Sequence, residues 1–257
     1  MTIVILHRAS LGELPYPQWL RAQDRPSVLL IDADPTGSTG GAAAGAAAER
    51  AVLAVAARVG LSGLVALHPD DQIRAGSLRD HLLLPGQTRD QALPAADSIR
   101  AGELLAEAGV PVLPRMAAGR IPDLYRAARA WGYPLVVRRR RGPERTVLAE
   151  LTGEDELRAF ARGGLTEDSA ATAALTVEPK AVGERHRGPG NPATDAALRV
   201  LDPTPGHPLE VEAVRDGHGQ WCVDAVRYTG HLTASAELVR AQAGIVRSNS
   251  EQRVAVR

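Results

Sequence analysis

Cysteine and lysine each occur once in this chain of 257 residues, as Cys222 and Lys180. A lone cysteine excludes an internal disulfide, and no Cys/His cluster has the short paired spacing of a structural zinc site. His218 and Cys222 lie four apart in an expected strand pair and read as unrelated side chains. Aromatic residues make up only 3%, so platforms on which bases could stack are scarce. The formal net charge is zero, which removes any long-range field favouring nucleic acid or an anionic membrane. No apolar run reaches the roughly 18 residues of a membrane helix. The N-terminus puts Ile3-Val4-Ile5-Leu6 before Arg8, the reverse of a signal peptide, so a cytoplasmic protein is expected. The near-total use of arginine for lysine, with abundant alanine, reads as the habit of a GC-rich genome, which weakens any argument from arginine standing in lysine's place.

What is present is enough for a real core. With 44% hydrophobic residues the chain is expected to build two or three compact subdomains. Ile3 to Leu6, Val28 to Ile31 and Leu64 to Leu67 have strand length, and helices are expected from Ala42 to Val59 and from Asp70 to Leu83; this alternation predicts a small parallel α/β unit. The loop Gly37 to Gly41 matches neither a P-loop nor a dinucleotide fingerprint and reads as a plain helix start rather than an anion site. Residues 88–108 predict one long helix stopped at Gly109. A mixed unit follows, with strands at Val110 to Leu113, Leu135 to Arg138 and Thr146 to Glu150 and helices at Ile121 to Trp131 and Glu154 to Arg162. Residues 163–197 read as a flexible excursion with one possible strand at Leu175 to Val177. Two alternating runs, Leu209 to Arg215 and Gln220 to Tyr228, flank Asp216-Gly217-His218-Gly219 and predict a hairpin. A helix is expected from Ala234 to Ala243, and a loose last dozen residues after it. Trp19, Trp131 and Trp221 read as core or rim residues.

The stretch that carries most chemistry is Gly132-Tyr133-Pro134-Leu135-Val136-Val137-Arg138, continuing through Arg139-Arg140-Arg141-Gly142-Pro143-Glu144-Arg145. A strand ending in a cation and followed by a loop is one way to hold a phosphate. A phosphate cradle needs backbone N–H groups that converge without Cβ interference, and this loop has one glycine backed by a proline. Arg138 and Arg140 share one face of an alternating strand, so at most half of the arginine run can enter a cleft; a solvent-exposed or partner-facing run is the other reading. Glu210 and Glu212 alternate with Leu209 and Val211 and are also consistent with the wet face of a hairpin.

Over roughly residues 1–232 the chain resembles the ATP-grasp superfamily, in particular its carboxylate–amine ligases. The resemblance rests on an α/β unit at the N-terminus, the helix ending Leu104-Leu105-Ala106-Glu107-Ala108-Gly109-Val110-Pro111, the Gly132 to Val137 strand with the Asp155-Glu156-Leu157-Arg158 helix, and the Asp-Gly hairpin closing on Arg227-Tyr228-Thr229-Gly230. It implies an α/β and α+β protein: a pre-ATP-grasp domain at residues 1–95, a lid-like subdomain at 96–165, the excursion at 166–197 and a partial core subdomain at 198–257. It also implies ATP and magnesium as cofactors, a small carboxylate and an amine as substrates, and an acyl phosphate whose charge must be met by cations and aligned donors.

Against that pattern this sequence departs at several places. The family's Asp-Lys pair is Asp97-Ser98, its strand-end lysine is Arg138, and its glycine-rich lid is the arginine run. If Pro205-Gly206 ends the hinge, its two acids fall on Leu201 and Asp202, so Asp202 would receive the ribose; the alternative puts Val177-Glu178-Pro179 there but strands the hairpin far downstream, and the first is favoured. The family's later acids fall on Pro208 and Glu212. The segment expected to carry magnesium ligands has only Glu251. The resemblance thus aims Arg138, Arg140, Asp202 and Glu212 at nucleotide, with no metal ligand set. It implies a catalytically degenerate ligase relative acting as accessory or regulatory partner, of an intact ligase or of further copies of itself. Two other functions stay open: an active ligase completed by another chain, and an anion- or nucleic-acid-binding module, which the neutral charge disfavours.

Overall fold

A computed structural model of the chain describes residues 1–21, 26–33, 42–140, 146–163 and 175–245, with side chains omitted for helical residues 42–45. The expectations for Gly37 to Gly41, for Arg141 to Arg145 and for Glu251 fall outside the described residues. The chain divides into two compact units. The described residues within 1–92, 204–208 and 229–245 form the first, and those within 93–203 and 209–228 the second. The chain returns to its first unit after the hairpin. Among the described residues no helix is long and apolar enough to cross a membrane.

The first unit is built on a parallel sheet of β1 (Thr2–His7), β2 (Ser27–Asp32) and β3 (Leu61–Ala66), in the order β2-β1-β3. Ile3, Ile5, Val65 and Leu67 pack on one face with Tyr16, Leu20 and Leu238; Val4, Leu6, Leu64 and Ala66 pack on the other with Val52, Ala75 and Leu78. Both faces of β1 are covered, which is why it reads as an uninterrupted apolar run. Gly63 lets the chain after the Ala236–Gln242 helix settle on β3: a Cβ there would stand 2.5 Å from the Ala243 carbonyl oxygen. Gln242, fully buried, accepts from the Ala66 N–H at 2.9 Å and donates to the Gly206 carbonyl at 2.8 Å, tying residues 204–208 to the sheet.

The second unit holds two sheets. The first is antiparallel, in the order β4-β7-β5-β6, from β4 (Met116–Ala118), β5 (Leu135–Arg139), β6 (Val147–Leu151) and β7 (Leu175–Pro179). Helices Ile121–Trp131 and Glu154–Gly163 pack on it around Leu124, Leu135, Val137, Leu151, Leu157 and Val177. The second sheet runs β10-β9-β8, from β8 (Arg185–Arg187), β9 (Leu209–Arg215) and β10 (Trp221–Tyr228). Its core face, with Val211, Ala213, Val223 and Val226, meets the Ser98–Glu107 and Pro192–Leu201 helices.

Three sequence expectations are corrected here. The long helix at residues 88–108 breaks into Arg89–Ala96 and Ser98–Glu107, because Asp97 is extended and its carboxylate caps the second helix, accepting from the Ile99 and Arg100 N–H groups. The expected strand at Val110 to Leu113 is a single bridge, Val112 to Val223; the strand itself comes later, at Met116–Ala118, in the other sheet. The expected excursion at 166–197 has its anticipated strand at Leu175 to Val177 as β7, and also holds β8 and the start of the Pro192–Leu201 helix, capped by Asn191. Gly188 and Gly190, both at positive φ, supply the turn between β8 and that helix, so glycine there marks a tight return.

His207 provides a test of the first unit. Burial, reinforced by the nearby Arg79 charge, pushes its imidazole down to about 3, while its Nδ1–H donates to the Pro205 carbonyl at 3.2 Å. The unfolded chain takes up this proton near the ordinary value of 6.5, whereas the folded chain refuses it. Stability contributed by the neutral ring is therefore complete above that value and declines as pH falls below it, at no more than about 1.4 kcal/mol per pH unit. Urea unfolding followed from about pH 7 to about pH 5 should show the decline, and His207→Gln should flatten it.

Candidate functional site

Glu178 stands near the end of β7, on the face opposite Leu175 and Val177, which enter the core. Its face is buried as well: Thr176 is 0% and Glu178 3% exposed. In the β5–β7 register Val136 lies opposite Glu178 and Arg138 opposite Thr176, so Arg138 is the diagonal neighbour of Glu178 on one face. The Arg138 Nε donates to Glu178 Oε1 at 2.6 Å. From the other side comes Arg115, on the segment that crosses from the Val112 bridge to β4. Its Nε is 3.8 Å from Glu178 Oε2, and its Nη2 donates to the Asp224 backbone carbonyl at 2.6 Å and lies 3.7 Å from the Asp224 carboxylate. Arg115 thus links the two sheets of the unit through buried acids.

On β9 and β10 the register places Val223 opposite Ala213 but Ala225 opposite Glu212, so the pairing slips at Asp224. Val223 and Val226, three apart, both enter the core. Asp224 and Ala225 therefore fall on the outer side together, which strict alternation forbids and a bulge allows. The slip brings Asp224 beside Glu212. Arg185, from β8, then places one nitrogen against both: Nη1 is 2.6 Å from Glu212 Oε1 and 2.7 Å from Asp224 Oδ2. The other Glu212 oxygen accepts from Arg187 Nε at 3.1 Å and Arg227 Nη1 at 2.8 Å. The result is one continuous chain of opposite charges: Arg138, Glu178, Arg115, Asp224, Arg185, Glu212, then Arg187 and Arg227.

The electrostatics follow from burial. Taking a carboxylate out of water is costly unless charge and hydrogen bonds replace the lost hydration. Burial by itself raises the Glu212 carboxyl; the bonds from Arg227 and Arg185 outweigh it and hold the group below its ordinary value. Asp97 behaves alike: burial is opposed by Arg140 and by the cap N–H groups, with a net lowering. Arg185 is pushed up, first by its bond to Asp224, against the burial that opposes it.

Of the four residues aimed at nucleotide by sequence reasoning, Arg138 and Glu212 fall at different points of the charge chain, and Arg140 and Asp202 stand outside it. Arg138 grips Glu178. Arg140 makes a two-pronged pair with Asp97, Nε to Oδ1 at 3.0 Å and Nη2 to Oδ2 at 3.0 Å. Glu212 sits in the charge chain. Asp202 is apart from it: it is the exposed C-cap of the Pro192–Leu201 helix, at φ 42°, a left-handed conformation that aspartate tolerates better than most residues. Of the two hinge alignments, the acid that meets Arg138 is Glu178, because β7, which carries Val177-Glu178-Pro179, pairs directly with β5. Arg115, Asp224 and Arg185 were missed. The available signal was Glu178 and Thr176 alternating with core residues in a central strand, a polar face with no solvent to meet.

The resemblance places its magnesium ligands after the hairpin, beyond the described residues; at the Glu212–Asp224 pair, where two described carboxylates converge, magnesium does not fit. A hard divalent ion needs several oxygen ligands, and the two converging carboxylates already share the Arg185 nitrogen. Among the described residues no three acidic, imidazole or thiol groups are gathered as a metal-ligand set.

The architecture is that of the ATP-grasp fold, a small parallel sheet with antiparallel sheets that match solved ligase and synthetase structures over most of the chain. Solved structures similar to it include N5-carboxyaminoimidazole synthetase from Staphylococcus aureus complexed with ADP, at 14% identity and a TM-score of 0.63, covering 96% of this chain and 78% of that one. D-alanine–D-alanine ligase from Bacillus anthracis complexed with ATP matches at 13% identity and a TM-score of 0.60, over 95% of this chain and 97% of that one. L-amino acid ligase from Bacillus licheniformis matches at 14% identity and a TM-score of 0.60, over 88% and 67%. At such identities the similarity is one of fold. No protein-family model matches the sequence, and no curated protein matches it.

The charge chain makes a graded prediction. Arg115 has a side chain 7% exposed between two buried acids. Arg115→Met keeps the volume and removes the charge, and should cost about 3–5 kcal/mol in urea unfolding. Arg187 is 62% exposed, and Glu212 keeps two other partners. Arg187→Met should cost under about 1 kcal/mol.

Proposed function

We propose that this chain is an ATP-grasp protein of carboxylate–amine ligase descent that has lost ligase turnover and acts as an accessory or regulatory partner of an intact ligase. The observation that carries the reading is the engagement of Arg138 and Arg140. The two cations aimed at phosphate each hold a carboxylate of their own chain, Glu178 at 2.6 Å and Asp97 at 3.0 Å. To hold a triphosphate, Arg138 would have to leave Glu178, a carboxylate 3% exposed that would then have to be met by another charge. A triphosphate would itself add negative charge beside these acids. The misfit of magnesium at Glu212 and Asp224 supports the same reading, since charge developing on a phosphate needs cations positioned in advance.

The similar structures that hold ADP or ATP favour a second reading, a cleft that still admits nucleotide. In that reading Arg138 exchanges Glu178 for phosphate, and an active site is completed by another chain.

Calorimetric titration with ATP and magnesium separates the two. The expected result is no binding in the low micromolar range and no ADP formed when amino acids are added. Tight binding with ADP release, abolished by Arg138→Ala, would sink the degenerate reading. A candidate partner that restores phosphate release on mixing would establish the second.

A further inference from the structure

The position where two acids from neighbouring strands converge is held by a nitrogen of the chain itself. Arg185 Nη1 lies 2.6 Å from Glu212 Oε1 and 2.7 Å from Asp224 Oδ2. The side chains of those acids are 2% and 6% exposed, so solvent contributes little to neutralising them. Each acid's second oxygen faces another guanidinium, Arg187 and Arg227 for Glu212 and Arg115 for Asp224. The backbone holds Arg185 in register: β8 pairs Arg185 opposite Val214, and the Arg215 N–H donates to the Glu184 carbonyl at 2.9 Å. Gly183 permits this approach, since a Cβ there would collide with the Arg215 carbonyl oxygen.

We propose that Arg185 is the resident cation of the Glu212–Asp224 pair: a covalently tethered guanidinium that does the bridging a divalent ion could do, making the site independent of metal. This deepens the degenerate reading by assigning a residue to its metal misfit. Three physical points carry it. One nitrogen touching two carboxylates from different strands is in the bridging position of an ion. An N–H group between the oxygens excludes a metal, because oxygens that donate lone pairs to a cation at about 2.0–2.6 Å leave no room for the nitrogen. The guanidinium keeps its charge at any pH a folded protein meets, and chelators cannot remove it. Removing the Arg185 side chain should therefore leave the two carboxylates, with water completing the ligand set, open to a divalent cation at this position.

The experiment uses the full chain and manganese(II) without nucleotide. Free manganese is followed by its paramagnetic resonance signal and folding by thermal melting. The native protein should leave the signal unchanged, and neither millimolar manganese nor EDTA should move its Tm. Arg185→Ala should deplete the free signal and gain several degrees in Tm with manganese, since a ligand bound only to the folded state raises its melting point. Arg185→Ala combined with Glu212→Gln should lose that gain, and Arg187→Ala should acquire none. Native protein that binds manganese and loses it in Glu212→Gln would overturn the proposal, whether or not Arg185→Ala folds. A folded Arg185→Ala that gains no manganese response would also overturn it. Because nucleotide is absent, failure here is distinct from failure of the degenerate reading, which ATP turnover decides.

Discussion

Glu178, Asp224 and Glu212 are carboxylates that this fold takes almost wholly out of water, and the cost of doing so organises the second unit. An isolated buried carboxylate is untenable, so each must be met by fixed positive charge. Arg138, Arg115, Arg185, Arg187 and Arg227 meet them, from β5, the segment before β4, β8 and β10. The interaction is weak grounds for high stability, because desolvation cancels much of the Coulomb attraction. It is strong grounds for a fixed arrangement. Removing a partner buried between two acids, as Arg115 is, leaves an uncompensated charge, so the strands that carry these residues are held in register by electrostatics as well as by their ladders.

The same constraint bears on chemistry. A site that handles a phosphate keeps cations available for the charge that arrives with it and develops during reaction. Here the guanidinium groups of the charge chain are engaged with acids of the same chain, and Glu212 and Asp224 are engaged with guanidinium groups. Arginine is suited to this internal role: it is planar, permanently charged and able to reach two acceptors at once. The shortage of lysine, read from the sequence as a habit of composition, thus has a structural consequence wherever a compact ammonium would have left an acid unmet.

Much of the fold was legible in the sequence. The apolar runs of β1 and β3, the Asp-Gly hairpin of β9 and β10, and the strand ending in Arg138 have periods that backbone geometry imposes locally. Asp97 was legible as part of a motif but not as a helix break, because a cap competes with helix continuation and the capping interaction wins only once the chain turns there. The strand at Leu175 to Val177 was legible, but β8 and the Asn191-capped helix were not, because Gly188-Pro189-Gly190 and scattered charges signal a loop, while β8 gains its strand character from pairing with β9.

Alone, the sequence determined the apolar faces of the strands, the positions of the turns and the presence of an arginine run too poor in glycine for a phosphate cradle. These are properties of neighbouring residues, governed by side-chain period and backbone freedom. Which acid meets which arginine was decided only in three dimensions. Glu178 reaches Arg138 through a register across 40 residues, and Asp224 reaches Glu212 through a bulge that reverses one side chain. Arg185 finds both because β8 pairs with β9. Long-range register has no local signature, since a shift of one residue preserves the alternating pattern yet turns every charge to the other face.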